Sequence, residues 1–133
     1  MLQVKEIMKT SALLHPHMGL SEAVKLIVDS GLSGLPVVDE QQQLVGFLSE
    51  QDCLQKLIAE SYHCDAHVTV AELMRDDPLS VSEQLTTLEL GQQMQTNRPK
   101  VYPVTRDQKV VGIVTRSQLV HSLSKSLDSC QAY

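Results

Sequence analysis

The stretch "GFLSEQDCL" at Gly46–Leu54 occurs again in outline as "GIVTRSQLV" at Gly112–Val120. Each copy has a glycine, two apolar residues, one hydroxyl residue and three polar residues, and then returns to apolar residues. A short apolar run that ends at a serine or threonine and continues into polar residues predicts a strand leading directly into a capped helix. The copies differ at their seventh position, where the first has Asp52 and the second has Gln118.

Two further blocks recur in the same order. "VKEIMK" at Val4–Lys9 returns as "VAELMR" at Val70–Arg75, and "LPVVD" at Leu35–Asp39 returns as "YPVTR" at Tyr102–Arg106. Ordered blocks at nearly one offset indicate an internal duplication of a unit of about 60 residues, a size that is marginally stable alone. The chain is therefore expected to form one compact module. Its predicted parts are repeat 1 at 1–60, a linker at 61–69, repeat 2 at 70–127 and a tail at 128–133.

Each repeat is predicted to follow the order β-α-β-β-α after a short opening helix, which is a mixed α/β (α+β) class. Ser21 is the predicted cap of the first long helix and Gly31 its stop, and Leu54, Leu57 and Ile58 share one face of the next helix. The strands are expected near Ala12–His15, Leu35–Val38, Leu44–Leu48, Leu79–Val81, Val101–Val104 and Val110–Val114. The later helices are expected at Leu85–Thr96 and around Leu119, Val120, Leu123 and Leu127.

Composition excludes several classes of function. The chain has 133 residues and a formal net charge of −5, whereas neutralising nucleic-acid phosphates needs clustered Lys and Arg. No apolar run approaches the roughly 20 residues that span a bilayer, and the N-terminus lacks a secretory signal pattern. The 3 cysteines have no recurring spacing, which favours reduced thiols and a cytoplasmic location.

The two predicted strand-to-helix junctions, the Asp52 corner at Ser49–Asp52 and the Gln118 corner at Thr115–Gln118, admit two interpretations. Ser49 with Asp52, and Thr115 with Gln118, have the spacing of capping pairs, and Gln is a preferred partner in the capping box. A functional interpretation starts from the helix N-terminus, whose free N–H groups and dipole favour an anion. An ionised Asp52 accepts hydrogen bonds only and suits a pair of ribose hydroxyls, whereas Gln118 accepts without the help of a charge.

The doubled unit, the opening "VKEIM", the "SGLPVVD" strand and the "GFLSEQD" corner resemble a pair of CBS domains, the tandem arrangement called a Bateman module. The resemblance covers about Val4–Ile58 and Val70–Leu123. It implies two repeats packed about a pseudo-twofold axis, with clefts that bind AMP, ADP, ATP or S-adenosylmethionine, and modules that often associate as dimers. Each cleft combines the hydroxyl-x-x-Asp corner of one repeat with the first strand and the pre-proline strand of the other.

The resemblance implies two unequal sites. In the first, Asp52 holds the ribose and Ser49 faces the phosphate, opposite residues of the second repeat: Asp77, Pro78, Leu79, Lys100, Val101 and Tyr102. Lys100 would add a positive charge for the phosphate. The possible second site consists of Thr10, Ser11, Ala12, Ser33, Gly34, Leu35, Thr115, Arg116 and Gln118. Because Gln118 departs from the family pattern, we expect one occupied nucleotide site per chain.

The candidate metal ligands and the candidate nucleophile are expected to have structural roles. His63, Cys64 and His67 could begin a zinc site, but no fourth ligand is evident and no metal is expected. Cys53, in the first turn of a helix, could be an activated thiolate, although a buried cysteine is commoner. Met8 and Met74 are read as core residues, and Glu83 and Glu89 as solvated charges on helix faces. No enzyme activity is expected.

Two functions remain in competition, and metal binding through the linker histidines His63 and His67 is a weaker third alternative. The first is a sensor that binds an adenosyl ligand and acts on an unidentified protein in trans, because no catalytic, channel or DNA-binding segment is attached. The second is a ligand-free scaffold that forms a homodimer or docks on a partner. The residues do not distinguish AMP, ATP and S-adenosylmethionine, since all present the ribose that Asp52 would hold.

Overall fold

The computed structural model describes residues 2–61, 67–94 and 98–131. For residues 130 and 131 it describes the backbone only. The opening helices are α1 (Val4–Ile7) and α2 (Leu20–Ser30), and they are followed by β1 (Gly34–Val38), β2 (Leu44–Ser49), α3 (Glu50–Glu60) and α4 (Val70–Leu73). The remaining elements are β3 (Val81–Ser82), α5 (Thr87–Gln93), β4 (Val101–Arg106), β5 (Lys109–Thr115) and α6 (Arg116–Gln131). This alternation confirms the predicted mixed class.

The chain divides into two compact units. The Asp52 unit comprises Ser11–Pro78 with Gln108–Val110, and the Gln118 unit comprises Met1–Thr10, Leu79–Asp107 and Val111–Tyr133. Helix α1 therefore belongs to the Gln118 unit and helix α4 to the Asp52 unit. Each short helix lies in the unit that contains the other repeat's hairpin, so the compact units differ from the sequence repeats at their beginnings.

The Asp52 unit is built on the antiparallel hairpin of β1 and β2, in which Gly34 lies opposite Ser49 and Leu35 opposite Leu48. The strand predicted at Ala12–His15 is reduced to a single bridge, because only Leu14 pairs with β1. All five residues of β1 are buried, as expected for a strand covered on both faces. The buried core consists of Leu14, Leu20, Ala23, Ile27, Leu35, Val37, Leu48, Cys53, Val68 and Val70.

The start of α2 differs from the prediction. Its N-cap is Gly19, no side chain caps it, and Ser21 lies exposed within the helix. The start of α2 is fixed by a tertiary contact, since the N–H of Leu20 donates to the carbonyl of Val68 at 3.0 Å and the N–H of Ala23 then donates to the carbonyl of Gly19 at 3.1 Å. The predicted stop is confirmed, because Gly31 is the C-cap with φ of 71°, a conformation that favours glycine.

The Gln118 unit contains the sheet β3-β4-β5, in which Val81 pairs in parallel with Val104. Its buried core consists of Val4, Val81, Leu90, Tyr102, Val104, Val114 and Leu119. Helix α5 begins after Thr86, whose hydroxyl accepts from the N–H of Glu89 at 3.1 Å while the Glu89 carboxylate accepts from the N–H of Thr86 at 3.2 Å. The hydroxyl of Thr86, which donates to the Glu89 carboxylate at 2.8 Å, and the N–H of Thr86 lower the pKa of Glu89. Glu89 is exposed on α5, as predicted for a solvated helix-face charge, and it also completes the capping box.

Glu83, in contrast, is buried and lies outside the helices, so its interpretation as a solvated helix-face charge is wrong. It follows β3, and its carboxylate accepts two hydrogen bonds from Arg106 in β4, at 2.6 Å from Nε and 2.8 Å from Nη2. The parallel pairing of β3 with β4 brings the two side chains together across 23 residues of sequence. These hydrogen bonds hold the pKa of Glu83 below its ordinary value of 4.5.

The Glu83–Arg106 pair makes stability depend on pH. Because the pKa of Glu83 is lower in the folded state, its contribution is complete above pH 4.5 and is lost as the pH falls through the folded-state pKa. We expect Glu83→Gln to unfold more easily at neutral pH and to lose less stability than the native chain on acidification. Urea titrations from pH 7 to pH 3 test this, with the exposed Glu40→Gln as control. Equal acid dependence of the native chain and Glu83→Gln would contradict it.

In the described part of the chain, no helix combines the length and the apolar character that crossing a bilayer requires.

Candidate functional site

The Asp52 corner is the junction at which β2 leads directly into α3. Ser49 is the N-cap, with φ of −97° and ψ of 156°, and its hydroxyl oxygen accepts from the N–H of Asp52 at 3.1 Å. The same hydroxyl donates to Oδ2 of Asp52 at 2.8 Å. The predicted capping role of Ser49 is confirmed, and the capping hydroxyl also orients the carboxylate.

The carboxylate of Asp52 is not used to cap the backbone. Its Oδ2 faces Nε of Arg75 at 3.7 Å, an ion-pair distance that is too long for a hydrogen bond. The side chain is 27% exposed, and within the described residues no hydrogen bond reaches Oδ1. Asp52 therefore presents a half-buried, oriented carboxylate with free acceptor positions, as the binding of a diol requires.

Arg75 comes to this corner through backbone pairing. Its N–H donates to the carbonyl of Phe47 at 2.9 Å, and its carbonyl accepts from the N–H of Phe47 at 3.2 Å. Gly46 makes this approach possible, because a Cβ there would lie 2.5 Å from Sδ of Met74 and 3.0 Å from the carbonyl oxygen of Arg75. Arg75 was not among the site residues predicted from the sequence, although two signals indicated it: the paired glycines Gly46 and Gly112, and the methionine-cation endings shared by "VKEIMK" and "VAELMR".

The Gln118 corner is a complete capping box. The N–H of Thr115 donates to Oε1 of Gln118 at 2.8 Å, and the N–H of Gln118 donates to Oγ1 of Thr115 at 3.1 Å. The predicted better match of this pair to the box is confirmed. Since the amide oxygen of Gln118 already accepts from the backbone, the corner offers no free carboxylate-like group. Lys9 pairs with Ile113 here as Arg75 pairs with Phe47.

The remaining predicted site residues are divided between the units. The Asp52 unit contains Ser11, Ala12, Ser33, Gly34, Leu35, Asp77 and Pro78 beside the corner residues, and the Gln118 unit contains Thr10, Leu79, Lys100, Val101, Tyr102 and Arg116. Within its own unit, the carbonyl of Ser33 accepts from the N–H of Glu50 at 2.8 Å, and that of Lys100 from the N–H of Arg116 at 2.9 Å. The predicted sites pair each of these strands with the opposite corner, so each site draws on both units and stays a prediction.

A cleft of about 390 Å³ lies within the Gln118 unit, lined by Leu79, Ser80, Gln92, Gln93, Arg98 and Tyr102. Two of these residues, Leu79 and Tyr102, belong to the first predicted site. Burial raises the pKa of Tyr102, and the nearby charge of Arg98 opposes this effect. Arg98, like Arg75, was not among the site residues predicted from the sequence.

The structure describes the thiol of Cys53 and part of the predicted zinc site. Cys53 is a buried free thiol whose pKa is raised by burial and by the charge of Asp52, so the activated-thiolate alternative is wrong. Among the described residues no group of three or more His, Cys, Asp or Glu side chains could hold a metal ion, while His63 and Cys64 lie outside those residues. Met8 and Met74 pack against the cores of their units, as predicted.

Known proteins resemble this chain in sequence and in structure. The chain is 28% identical over 132 residues, or 96% of its length, to A-adding tRNA nucleotidyltransferase of Aquifex aeolicus. It spans 15%, 34% and 66% of the first curated relatives that it matches.

Two solved structures are similar over nearly their whole length. CBSX2 of Arabidopsis thaliana, in complex with AMP, has a TM-score of 0.78 and 27% identity, covering 94% of this chain and 98% of that one. The CBS domain pair of MJ0100, in complex with 5′-methylthioadenosine and S-adenosyl-L-methionine, has a TM-score of 0.77 and 26% identity, covering 93% and 97%.

The CBS domain family model matches residues 4–59 and 70–125, which are the two halves of the duplication seen in the sequence. With the repeated hydroxyl-capped corners and the CBS-pair neighbours, this match shows that the chain belongs to the CBS domain family and contains a tandem pair of CBS domains.

Proposed function

We propose that this CBS pair is a regulatory module that binds an adenosyl ligand at the Asp52 corner and passes its state to another protein. The observation that carries the proposal is the half-buried carboxylate of Asp52, which Ser49 orients and which capping does not consume. Two similar CBS pairs are in complex with ligands that share an adenosine group, AMP in one and 5′-methylthioadenosine with S-adenosyl-L-methionine in the other.

The proposed site is completed by residues of both repeats. Asp52 receives the ribose hydroxyls and Ser49 lies toward the phosphate. The family resemblance adds further proposed ligand contacts: Asp77, Pro78, Leu79, Lys100, Val101 and Tyr102. The ligand regulates by binding one arrangement of the protein more tightly than another, since only a difference in affinity shifts an equilibrium. The role is regulatory rather than catalytic, and the buried free thiol of Cys53 suits a reducing compartment such as the cytoplasm.

We expect one strong adenosyl site per chain. Oε1 of Gln118 already accepts from the N–H of Thr115 at 2.8 Å, so a ribose at that corner would have to displace a cap. Calorimetric titration with AMP, ATP, 5′-methylthioadenosine and S-adenosylmethionine measures the stoichiometry. Thermal unfolding in the same ligands should show an increase in Tm, because a ligand that binds only the folded state stabilises it. Two equivalent sites would contradict the assignment, and binding of none of the four would reject the proposed function.

A second candidate, an association scaffold, is favoured by exposed apolar side chains on α3 and α6, the helices that follow the Asp52 and Gln118 corners. Helix α3 exposes Leu54, Leu57 and Ile58, and helix α6 exposes Val120, Leu123 and Leu127. The sequence predicted these residues as the apolar faces of their helices, and within each unit they are left uncovered. Contiguous exposed apolar surface is typical of a protein interface, and a homodimer is the commonest closed assembly.

The scaffold candidate predicts self-association through α3. We expect the native chain to sediment as a dimer and Ile58→Glu to shift it toward monomer, because the substitution buries an unpaired charge at the contact. Val28→Glu is the matched control, since Val28 is 70% exposed on α2. Analytical ultracentrifugation over a range of concentrations makes the measurement. A native chain that is monomeric throughout would exclude this function.

A further inference from the structure

We propose that Arg75 is a specificity residue that favours phosphate-bearing adenosyl ligands over uncharged ones at the Asp52 corner. The inference rests on the proposed function and names the ligand class of that same site. It starts from the contact between Nε of Arg75 and Oδ2 of Asp52 at 3.7 Å, which both the internal duplication and the binding hypothesis leave unexplained.

The backbone of Arg75 is fixed while its side chain is free to move. Two hydrogen bonds with Phe47, at 2.9 and 3.2 Å, hold its backbone against β2 two residues before Ser49. Its side chain is 72% exposed, and among the described residues its guanidinium meets only Asp52. An arginine held in this way delivers its charge to one corner and keeps the freedom to change partners.

The contact with Asp52 is weak enough to be exchanged. At 3.7 Å it is an ion pair without a hydrogen bond, and Oδ2 already accepts from the hydroxyl of Ser49 at 2.8 Å. Exposed ion pairs of this kind contribute little, whereas the planar guanidinium fork binds phosphate through two charge-assisted hydrogen bonds. A ligand that offers a phosphate next to its ribose therefore gives Arg75 a better partner than Asp52.

The same exchange of partners reduces the electrostatic repulsion between the ligand phosphate and Asp52. A phosphate bound near the carboxylate of Asp52 would be repelled by a like charge, and Arg75 is a cation next to Asp52 that offsets this repulsion, in addition to the proposed contribution of Lys100. When Arg75 turns to the phosphate, Oδ2 is relieved of its ion pair and both carboxylate oxygens can receive the ribose hydroxyls. A ligand without a phosphate offers no anionic partner to Arg75, so its affinity depends only on the contacts of its adenosine.

Two ligands separate the contributions of phosphate and adenosine. AMP and 5′-methylthioadenosine share the base and the ribose diol and differ at the 5′ position, where only AMP has a phosphate. We expect Arg75→Gln to lower the affinity for AMP by about tenfold or more, the usual effect of losing hydrogen bonds to a charged group. The affinity for 5′-methylthioadenosine should stay within about threefold, since none of its contacts uses the arginine.

Lys9→Gln is the matched control, because Lys9 occupies the corresponding place in the other repeat and pairs with Ile113 in the same way. It should change neither affinity. The affinity of the native chain for AMP should also fall more steeply with salt than that of Arg75→Gln, because one charge pair is lost from the complex. An Arg75→Lys variant should recover part of the AMP affinity, which a purely structural role in pairing β2 would not explain.

The possible results test the role of Arg75 separately from the proposed adenosyl-binding function. If the native chain binds both ligands and the ratio of their affinities is unchanged in Arg75→Gln, the role of Arg75 is rejected and the proposed function survives. If Arg75→Gln weakens both ligands equally, Arg75 supports the fold of the corner and the specificity role is likewise rejected. If the native chain binds neither ligand, the proposed function fails and this inference fails with it.

Discussion

Replacement of Asp52 by asparagine is expected to weaken the binding of AMP and of 5′-methylthioadenosine alike, by at least about tenfold. Hydrogen bonds to a charged group contribute about 1.5–3 kcal/mol, and each 1.4 kcal/mol corresponds to a factor of about ten in affinity. Asparagine has nearly the same shape as aspartate but loses the charge and one of the two acceptor oxygens. The ribose hydroxyls would then meet one neutral acceptor where two charged ones stood.

The structure also predicts that Asp52→Asn remains folded. Ser49 caps α3 through its own hydroxyl, so the cap does not depend on the carboxylate. Loss of a first-turn acid costs about 0.3–1 kcal/mol of helix–dipole stabilisation, and the Arg75 contact is an ion pair of small value at this exposure. Circular dichroism and the unfolding transition of the free protein should therefore change little, while the calorimetric titration changes strongly.

Glu50→Gln is the control for charge. Glu50 lies in the same first helical turn and is exposed, so the substitution removes an identical charge from the same helix end without touching the oriented carboxylate. Its affinities for AMP and 5′-methylthioadenosine should match those of the native chain. Equal loss in Glu50→Gln and Asp52→Asn would mean that only the general field of the helix end matters, and the assignment of the ribose to Asp52 would then be abandoned.

The sequence predicted those parts of the corner that depend on local spacing. Ser49 and Asp52 are three residues apart in one turn, and the hydroxyl of the N-cap had to lie near the N–H of Asp52 whatever the rest of the chain did. The same local logic correctly placed Gln118 in a capping box with Thr115. Spacing alone could show that both corners cap helices, and charge alone distinguished the acid from the amide.

The parts that the sequence did not predict are set by contacts between distant segments. Arg75 reaches Asp52 because its backbone pairs with Phe47, and Glu83 meets Arg106 because two strands run in parallel. In the same way the carbonyl of Val68 accepts from the N–H of Leu20, and α2 starts at Leu20, before the predicted cap Ser21. Periodicity shows that residues share a face of a helix, but it does not show whether another element covers that face.

Val28 illustrates this limit. It recurs at helical spacing with Leu20, Ala23, Val24 and Ile27 in α2, yet it is 70% exposed while Ala23 and Ile27 are buried. A helix in a small unit is covered over only part of its circumference, and residues at the margin of the apolar stripe remain in solvent. Burial at such positions is decided by the partner element and therefore lies beyond what the helix's own sequence can indicate.

Leu14 is a position at which substitution should strongly destabilise the fold. Its N–H donates to the carbonyl of Pro36 at 3.0 Å and its carbonyl accepts from the N–H of Val38 at 2.9 Å, so this one residue joins the incoming chain to β1. Its side chain is fully buried in the core of the Asp52 unit. The predicted strand at Ala12–His15 is thus concentrated in a single bridge residue, and the side chain of that residue fills the core.

We expect Leu14→Ala to lower the free energy of unfolding by about 2–5 kcal/mol, because a fully buried leucine leaves both lost contacts and a cavity. Alanine keeps the two backbone hydrogen bonds, so the loss would report side-chain packing. Val28→Ala removes apolar carbon from an exposed place in the same unit and should change stability by less than about 0.5 kcal/mol. Urea unfolding followed by circular dichroism gives both values. Similar small effects of the two substitutions would show that Leu14 does not anchor the hairpin to the core, and the packing described for the Asp52 unit would then be wrong.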